Sequence, residues 1–501
     1  MTNGNGSTLG HHPDAELIFA VVCPLGTDHR KMVESLSQYL QNHFGYATNI
    51  VRLSDRFPAL SHALGIPSNP PLDTDQCSIA KNKISVGNQI RERSGLKDFL
   101  ALVAAGDIAQ KRFDSFENAG ILGNDQVAEA WKQKPLPKTA HIIATLKRPE
   151  EVATLRRIYG GGFFLIGFAP SKADREGFFE ARNITEDQAA ALVEQDGAEA
   201  GEWGQLTRET FHLSDVFIST ADSGRQIKRF LNLLFGSPKE TPTPEEHAMF
   251  MAFSAALRSG DLSRQVGAAL VDRYGDLLAV GFNEVPKFGG GAYGPGSDSQ
   301  RDIERGEDSN DTARRKIMDK VLKVLEITNL DPDDALRRLK STGLGDLTEY
   351  GRSVHAEMQA LFSCTRTGRS TRDATLYTTT FPCHNCCRHI IAAGVQRVVY
   401  VEPYPKSQAS VLHSDAISVD GPVEGKIPFE PFVGIGPRRF FDLFSLTLST
   451  GYTIKRKENG RLKDWKEMEA PPRLQLQPSS YLANEALALE TLKKIESDKN
   501  V

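Results

Sequence analysis

Two short segments bring together side chains that can do chemistry: His355-Ala-Glu357 and Pro382-Cys383-His-Asn-Cys386. One imidazole and two thiolates are donors of the kind that hold zinc, and a catalytic zinc keeps its fourth position open for water. An ion in such a shell lowers the pKa of its water toward roughly 7, so hydroxide is available at neutral pH. Glu357, two residues after His355, can approach that water without joining the shell and move protons during the reaction. The pattern therefore implies metal-assisted hydrolysis, with His355, Cys383 and Cys386 as ligands of Zn2+ and Glu357 as the proton shuttle.

A closed structural zinc site is the competing reading of Cys-x-x-Cys by itself. It wants a fourth ligand. Cys387 directly follows Cys386 and has to point away along a helix, while His384 and His389 suit the surface or the surroundings of the site. Cys364 and Cys387 read as buried small residues, the commoner fate of cysteine.

These groups need helices and strands to hold them. Pro382 suits the first turn of a helix, which places Cys383 and Cys386 where the helix dipole favours thiolate over thiol. A helix containing His355 precedes it. Around them the spacing predicts a helix over Glu245–Ser259, strands at Val266–Val271 and Leu277–Phe282 joined as a hairpin through Tyr274-Gly275-Asp276, and strands at Ala374–Thr379 and Arg397–Val401. A polar insertion at 286–347 starts with Gly289-Gly-Gly291 and turns helix-like from Thr312 to Lys340. Insertions of this size serve as lids, oligomer contacts or excursions.

The first block alternates strand and helix: Leu17–Val22, then Asp28–His43, then His141–Leu146, Pro149–Ile158 and Gly162–Phe168. That alternation predicts an α/β domain with a parallel sheet covered by helices. The Pro, Thr and Gly content of Gly236–Glu245 marks a boundary. The expected division is a disordered tail at 1–15, a first domain at 16–240, a second at 241–470 and a C-terminal tail at 471–501. The tail's helical pattern at Asn484–Ile495 reads as docking on a partner surface.

Composition limits what such a chain can do. At 501 residues, two domains are expected. A net charge of −4 gives none of the basic footprint that neutralises phosphates, which disfavours a nucleic-acid substrate. With no run of about 18 apolar residues and no signal-like start, the expectation is a soluble, cytoplasmic protein with no membrane partner. The six cysteines, at 23, 77, 364, 383, 386 and 387, are too sparse for a disulfide framework and suit thiols or a metal site.

The spacing H-x-E…P-C-x-x-C is the signature of zinc deaminases. With Leu262-Ser-Arg-Gln-Val-Gly-Ala268 and Val280-Gly-Phe-Asn283, the second half of the chain resembles the cytidine and deoxycytidylate deaminase superfamily. The resemblance implies a cytidine-deaminase-like α/β/α sandwich, a deoxycytidine nucleotide as substrate, and Asn283 as a hydrogen-bonding partner of the deoxyribose. A turn residue ending a strand is the plainer reading of Asn283. Thr379-Thr-Phe-Pro-Cys-His-Asn-Cys386, Val401-Glu-Pro-Tyr-Pro-Lys-Ser407 and Leu412-His-Ser-Asp415 are similar to bacterial two-domain anti-phage dCTP or deoxycytidylate deaminases, in which a P-loop-kinase-like domain comes first. That implies conversion of dCTP to dUTP or of dCMP to dUMP, draining a nucleotide pool in anti-phage defence. A housekeeping dCMP deaminase for thymidylate supply and a nucleic-acid deaminase remain the alternatives. The superfamily's habit of assembly, together with the insertion, implies a homo-oligomer.

The first block departs from a working phosphate loop. After Val22 comes Cys23-Pro-Leu-Gly-Thr-Asp-His-Arg-Lys31, whereas such a loop ends Gly-Lys-Ser/Thr. Gly26 is followed by Thr27, so a kinase-like fold without robust kinase activity is expected. Thr145–Val152 with Leu155-Arg156 resembles the strand-to-helix junction of small-molecule kinases, and Arg175 falls where a lid arginine belongs. These features suit either a regulatory nucleotide on this domain or a purely structural helix pair. For phosphate groups of the substrate, Arg352 is the first candidate because arginine clamps phosphate through two bonds, and Lys406 is the second.

Overall fold

A computed structural model describes residues 14–67, 75–118, 134–199, 201–339, 350–404, 406–419, 421–475 and 478–498. Most of the expected tail at 1–15 and the end of the expected insertion, 340–347, lie outside the described residues. The chain forms two compact units, Met1–Pro242 together with Val433–Val501, and Thr243–Phe432. Each holds a mixed α/β arrangement around a six-stranded sheet.

In the first unit the strands are β1 (Leu17–Val22), β2 (Ala47–Arg52), β3 (Thr139–Ala144), β4 (Phe163–Ala169) and β5 (Val216–Ser219). They run parallel in the order β2-β3-β1-β4-β5. Every residue of β1 is buried, as a strand covered on both faces must be. Leu17, Phe19 and Val21 pack with Leu36, Leu40 and Phe230 on one face. Ile18, Ala20 and Val22 pack with Val103, Val152 and Leu155 on the other. β3 ends two residues before the expected Leu146, because Thr145 takes a φ of 59° and leaves the extended conformation.

Two expectations about the C-terminal part are corrected. Residues 433–470 return to the first unit instead of completing the second domain: Gly434–Ile435 (β12, after β6–β11 of the second unit) adds an antiparallel edge strand to β5. Arg439, buried beside it, donates to Asp215 Oδ1 at 3.2 Å and to the Phe163 carbonyl at 2.5 Å. The tail helix, Pro478–Asp498, expected to dock on a partner surface, packs on its own unit. Its Tyr481, Leu482 and Ala488 enter the core beneath β1, and Glu485 pairs with the fully buried Arg112 at 2.6 Å. Arg112 also bonds Glu16 at 3.1 Å, while Glu16 receives Tyr481 and meets His141 Nε2 at 2.8 Å. Burial pushes both carboxyls up. The Arg112 charge and the bonds from His141 and Tyr481 bring Glu16 below its ordinary value, whereas Glu485 stays above. A single guanidinium cannot fully compensate two buried carboxylates.

In the second unit β6 (Gly267–Val271) and β7 (Leu277–Phe282) form the expected hairpin. β8 (Thr375–Thr380) joins β6 antiparallel, and β9 (Arg397–Glu402), β11 (Ile427–Pro431) and β10 (Ile417–Ser418) continue in parallel. Two glycines explain how helices reach this sheet. A Cβ on Gly267 would stand 1.9 Å from the Ala252 carbonyl oxygen of helix Pro244–Ala256, and one on Gly281 would stand 2.1 Å from the Ala356 carbonyl oxygen of helix Ala356–Thr367. Gly267 pairs with Phe282 and Gly281 with Ala268, so adjacent register positions turn to opposite faces and the two helices cover opposite sides of the sheet.

Gly281→Ala is expected to lower the unfolding midpoint in urea by the equivalent of about 2 kcal/mol or more, the cost of overpacking. Gly177→Ala, in helix Lys172–Glu180 with open space around it, is expected to change stability by less than about 1 kcal/mol, in the stabilising direction. Arg112→Ala leaves Glu16 and Glu485 buried without their shared cation and is expected to cost about 3 kcal/mol or more, read from the same unfolding curves.

Candidate metal centre

The caps of two helices set the ligands. His355 is the N-cap of helix Ala356–Thr367, with extended dihedrals of −65° and 154°, one residue outside the helix that was expected to contain it. Its position is fixed from β7: Glu284 and Val354 exchange backbone hydrogen bonds at 3.2 and 3.0 Å. The side-chain Oε1 of Gln359 accepts the Phe282 N–H at 2.5 Å, tying that helix to the strand. Cys383 is the N-cap of helix His384–Ala392, and its Sγ accepts the Cys386 N–H at 3.4 Å. The loop before it is held by Phe381 N donating to Glu402 O at 2.7 Å and by Ser407 Oγ donating to Pro382 O at 2.8 Å.

These anchors bring three donors to one point. His355 Nδ1 lies 3.3 Å from Cys383 Sγ and 3.3 Å from Cys386 Sγ, and the three ligand atoms all fall within 4.8 Å of one another. A tetrahedral zinc with sulfur at about 2.3 Å and nitrogen at about 2.0 Å separates N from S by about 3.5 Å, so the donor set fits the ion closely. Glu357 is 4% exposed, and its Oε2 stands 3.4 Å from Cys386 Sγ. It borders the cluster without belonging to it.

The protonation pattern suits a cation. The bond from Cys386, with a further bond from His355, holds the Cys383 thiol down to about 4. His355 is lifted to about 9, chiefly by its bond to Cys383. Cys386 is held well above its ordinary value by the proton it shares with Cys383 and by burial. A divalent ion displaces such protons from its ligands. Burial also pushes the Glu357 carboxyl up, which brings a group that must both take and give protons toward the operating pH. Cys364 and Cys387 are fully buried in the hydrophobic core, and among the described residues Cys387 is not one of the three whose ligand atoms converge.

Other expected groups are placed differently. Asn283, 7% exposed, accepts the Val266 N–H at 2.8 Å and donates to the Arg264 carbonyl at 2.9 Å. Its amide thus pins the segment before β6, and one Nδ2 hydrogen is spoken for. Arg352 donates to Asp302 Oδ1 at 2.7 Å and to the Gln300 carbonyl at 2.9 Å, so its fork is committed to the insertion. Lys406 is exposed. Glu284, not singled out from sequence, is a buried anchor that accepts from Gly260 N and Val285 N, each at 2.8 Å. Its adjacency to Asn283 was the only signal available.

Residues 242–402 match the family described as the cytidine and deoxycytidylate deaminase zinc-binding region. ComE operon protein 2 of Bacillus subtilis is 45% identical over 53 residues, which cover 11% of this chain and 28% of that protein. A probable deoxycytidylate deaminase of Drosophila melanogaster is 27% identical over 180 residues, 35% of this chain and 70% of that protein. A dCMP deaminase of the cyanophage S-TIM5, solved with dCMP and dUMP, aligns with 39% of this chain and 100% of its own at 19% identity and a TM-score of 0.24. The two caps, the three convergent donors and the buried glutamate all fall inside the segment that matches this zinc-binding region.

Proposed function

We propose that the unit Thr243–Phe432 hydrolyses the 4-amino group of a deoxycytidine nucleotide, dCTP to dUTP or dCMP to dUMP, with zinc held by His355, Cys383 and Cys386. The observation that carries this reading is the combination of a three-donor cluster with a buried carboxyl beside it that is not one of the three. A zinc ion there supplies Lewis acidity that makes a water nucleophilic near neutral pH. The remaining work falls to the chain. Glu357 takes one proton from the attacking water and delivers it to the ring nitrogen as oxygen adds to C4, then takes the second proton from the added hydroxyl and passes it to the amino group, so that ammonia leaves and a C4 carbonyl remains.

The deoxycytidylate deaminase relatives support a mononucleotide over a polynucleotide substrate, and the net charge of −4 points the same way. Among the described residues no helix is long and apolar enough to cross a membrane. The anti-phage reading extends the sequence resemblance: a dCTP-consuming enzyme depletes a pool that DNA synthesis needs. In that reading the first unit, in the role of the P-loop-kinase-like domain, carries a regulatory nucleotide, and the chain assembles as a homo-oligomer. Asn283, with its remaining amide hydrogen, is proposed to reach the deoxyribose.

Parallel incubation of the zinc-loaded protein with dCTP, dCMP, cytidine and single-stranded DNA is expected to release ammonia from at least one of the two nucleotides and from neither of the others; turnover confined to DNA would overturn the reading. Glu357→Ala is expected to retain one zinc per chain and the wild-type circular dichroism spectrum while losing about 10²–10⁴ in rate or more. Cys386→Ser is expected to lose zinc, measured by plasma mass spectrometry.

A further inference from the structure

A cavity of about 340 Å³ opens at the carboxyl ends of β1, β2 and β3, wholly within the first unit. Its size lies at the lower end of the range for small-molecule sites, roughly 300–1,000 Å³. Its location follows from the winding of the sheet. After β1 the chain enters helix His29–Phe44 on the face of Leu36 and Leu40. After the neighbouring β3 it enters helix Pro149–Tyr159 on the face of Val152 and Leu155. The two loops part toward opposite faces, and such a divergence between adjacent strands is where open α/β sheets hold ligands.

Three observations mark this crevice as a built site. Gln205 lines it and is 7% exposed, yet its Oε1 has no hydrogen-bond partner among the described residues. A buried carbonyl oxygen left this way costs free energy that a ligand's N–H would recover. Thr145, also in the lining, holds a φ of 59° despite its branched side chain, strain of the sort that collects at ligand sites. Between the lining residues Leu25 and Thr27, Gly26 has φ 93°, and the Arg175 chain packs so closely over it that a Cβ there would lie 2.5 Å from Arg175 Cγ.

The charge of the lining is one-sided. Lys147 is neutralised by Asp196 at 2.7 Å and Arg91 by Glu151 at 2.8 Å. Arg30, Arg52 and Lys83, which also line the cavity, form no ion pair among the described residues, and Asp28 is the acidic group that faces them. Burial, followed by the charges of Lys147 and Arg30, drives the imidazole of His29 down to about 4, so it sits there neutral. Phe57, Phe178 and Arg182 also line this space, the Arg182 guanidinium lying 3.6 Å from the Phe178 ring centroid. Cations, aromatic side chains and an unpaired amide acceptor in one lining together fit an anion that carries a flat heterocycle with N–H donors.

We propose that this cavity binds a nucleoside phosphate, with the phosphate at Arg30, Arg52 and Lys83 and the base at Gln205. The proposal deepens the regulatory reading of the first unit and is independent of the deaminase reading of the second. Binding without phosphoryl transfer is expected, because Thr27 and not lysine follows Gly26.

The test is equilibrium dialysis on the full chain carrying Glu357→Ala, so that nothing is consumed, with dCTP, dTTP, ATP and inorganic pyrophosphate as probes. At least one nucleotide is expected to bind in the parent at a site that Arg52→Glu with Lys83→Glu weakens tenfold or more, both residues being accessible enough for the fold to survive. Gln205→Leu, which leaves every cation in place, is expected to weaken that nucleotide tenfold and to leave pyrophosphate unchanged. Nucleotide binding that ignores all three substitutions, or pyrophosphate binding as tight as that of every nucleotide, would overturn the proposal. Wild-type ammonia release, measured alongside, reports separately on the second unit: a bound nucleotide without turnover leaves the cavity standing and removes the deaminase.

Discussion

His355 Nδ1, Cys383 Sγ and Cys386 Sγ meet within 4.8 Å although the residues are separated by up to 31 positions in the chain. Three electron-rich donors do not converge unaided: bringing them together concentrates charge, and only fixed backbone keeps them in place until a cation is bound. Two helix N-termini do the holding: His355 and Cys383 are N-caps with extended dihedrals, and the Cys383 sulfur turns back to accept the Cys386 N–H. The positive end of each helix dipole faces the cluster, which lowers the cost of a thiolate there.

Everything else in the second unit serves that placement. The His355 helix lies against β7 because Gly281 lets its backbone approach to a distance that any side chain would forbid. Glu284 and Val354 then fix the residue just ahead of the ligand. On the other side, β8 and β9 run in parallel register through Thr380 and Glu402 and deliver the Phe381–Cys383 loop, whose Phe381 ring sits 5.0 Å from Tyr400. Glu357 inherits its position as the second residue of a helix whose start is already determined, and its burial follows from the same packing. Proton transfer and metal binding thus depend on one geometry.

The local parts of this arrangement were legible in the sequence. His-x-Glu and Cys-x-x-Cys are short-range patterns, the β6–β7 hairpin shows through its apolar runs and turn residues, and the alternation of the first block predicts its parallel sheet. What the sequence did not reveal is long-range. Gly434–Ile435 is too short to show any periodicity, so the return of residues 433–470 to the first unit had no local sign. The tail helix shows an apolar face, but the partner of its buried charge, Arg112, lies 373 residues away from Glu485. Asn283 was read by resemblance as a sugar ligand, and its bonds to residues 264 and 266 depend on a loop path that spacing does not encode. Thr145 looks like an ordinary strand residue until its φ is known.

On the proposed reading the two units divide the chemistry: a three-donor cluster that can hold a metal, with a buried carboxyl beside it, in one, and a cation-lined crevice at a strand divergence in the other. The claim on which the functional account stands is that the metal site has three protein ligands and an open position. X-ray absorption at the zinc edge measures this directly on the loaded protein. The account predicts two sulfurs at about 2.3 Å and two nitrogen or oxygen scatterers at about 2.0–2.1 Å, one of them exchangeable, with the spectrum little altered by Glu357→Ala. Three sulfurs, which would bring Cys387 into the shell, or a closed shell with no exchangeable scatterer would contradict it.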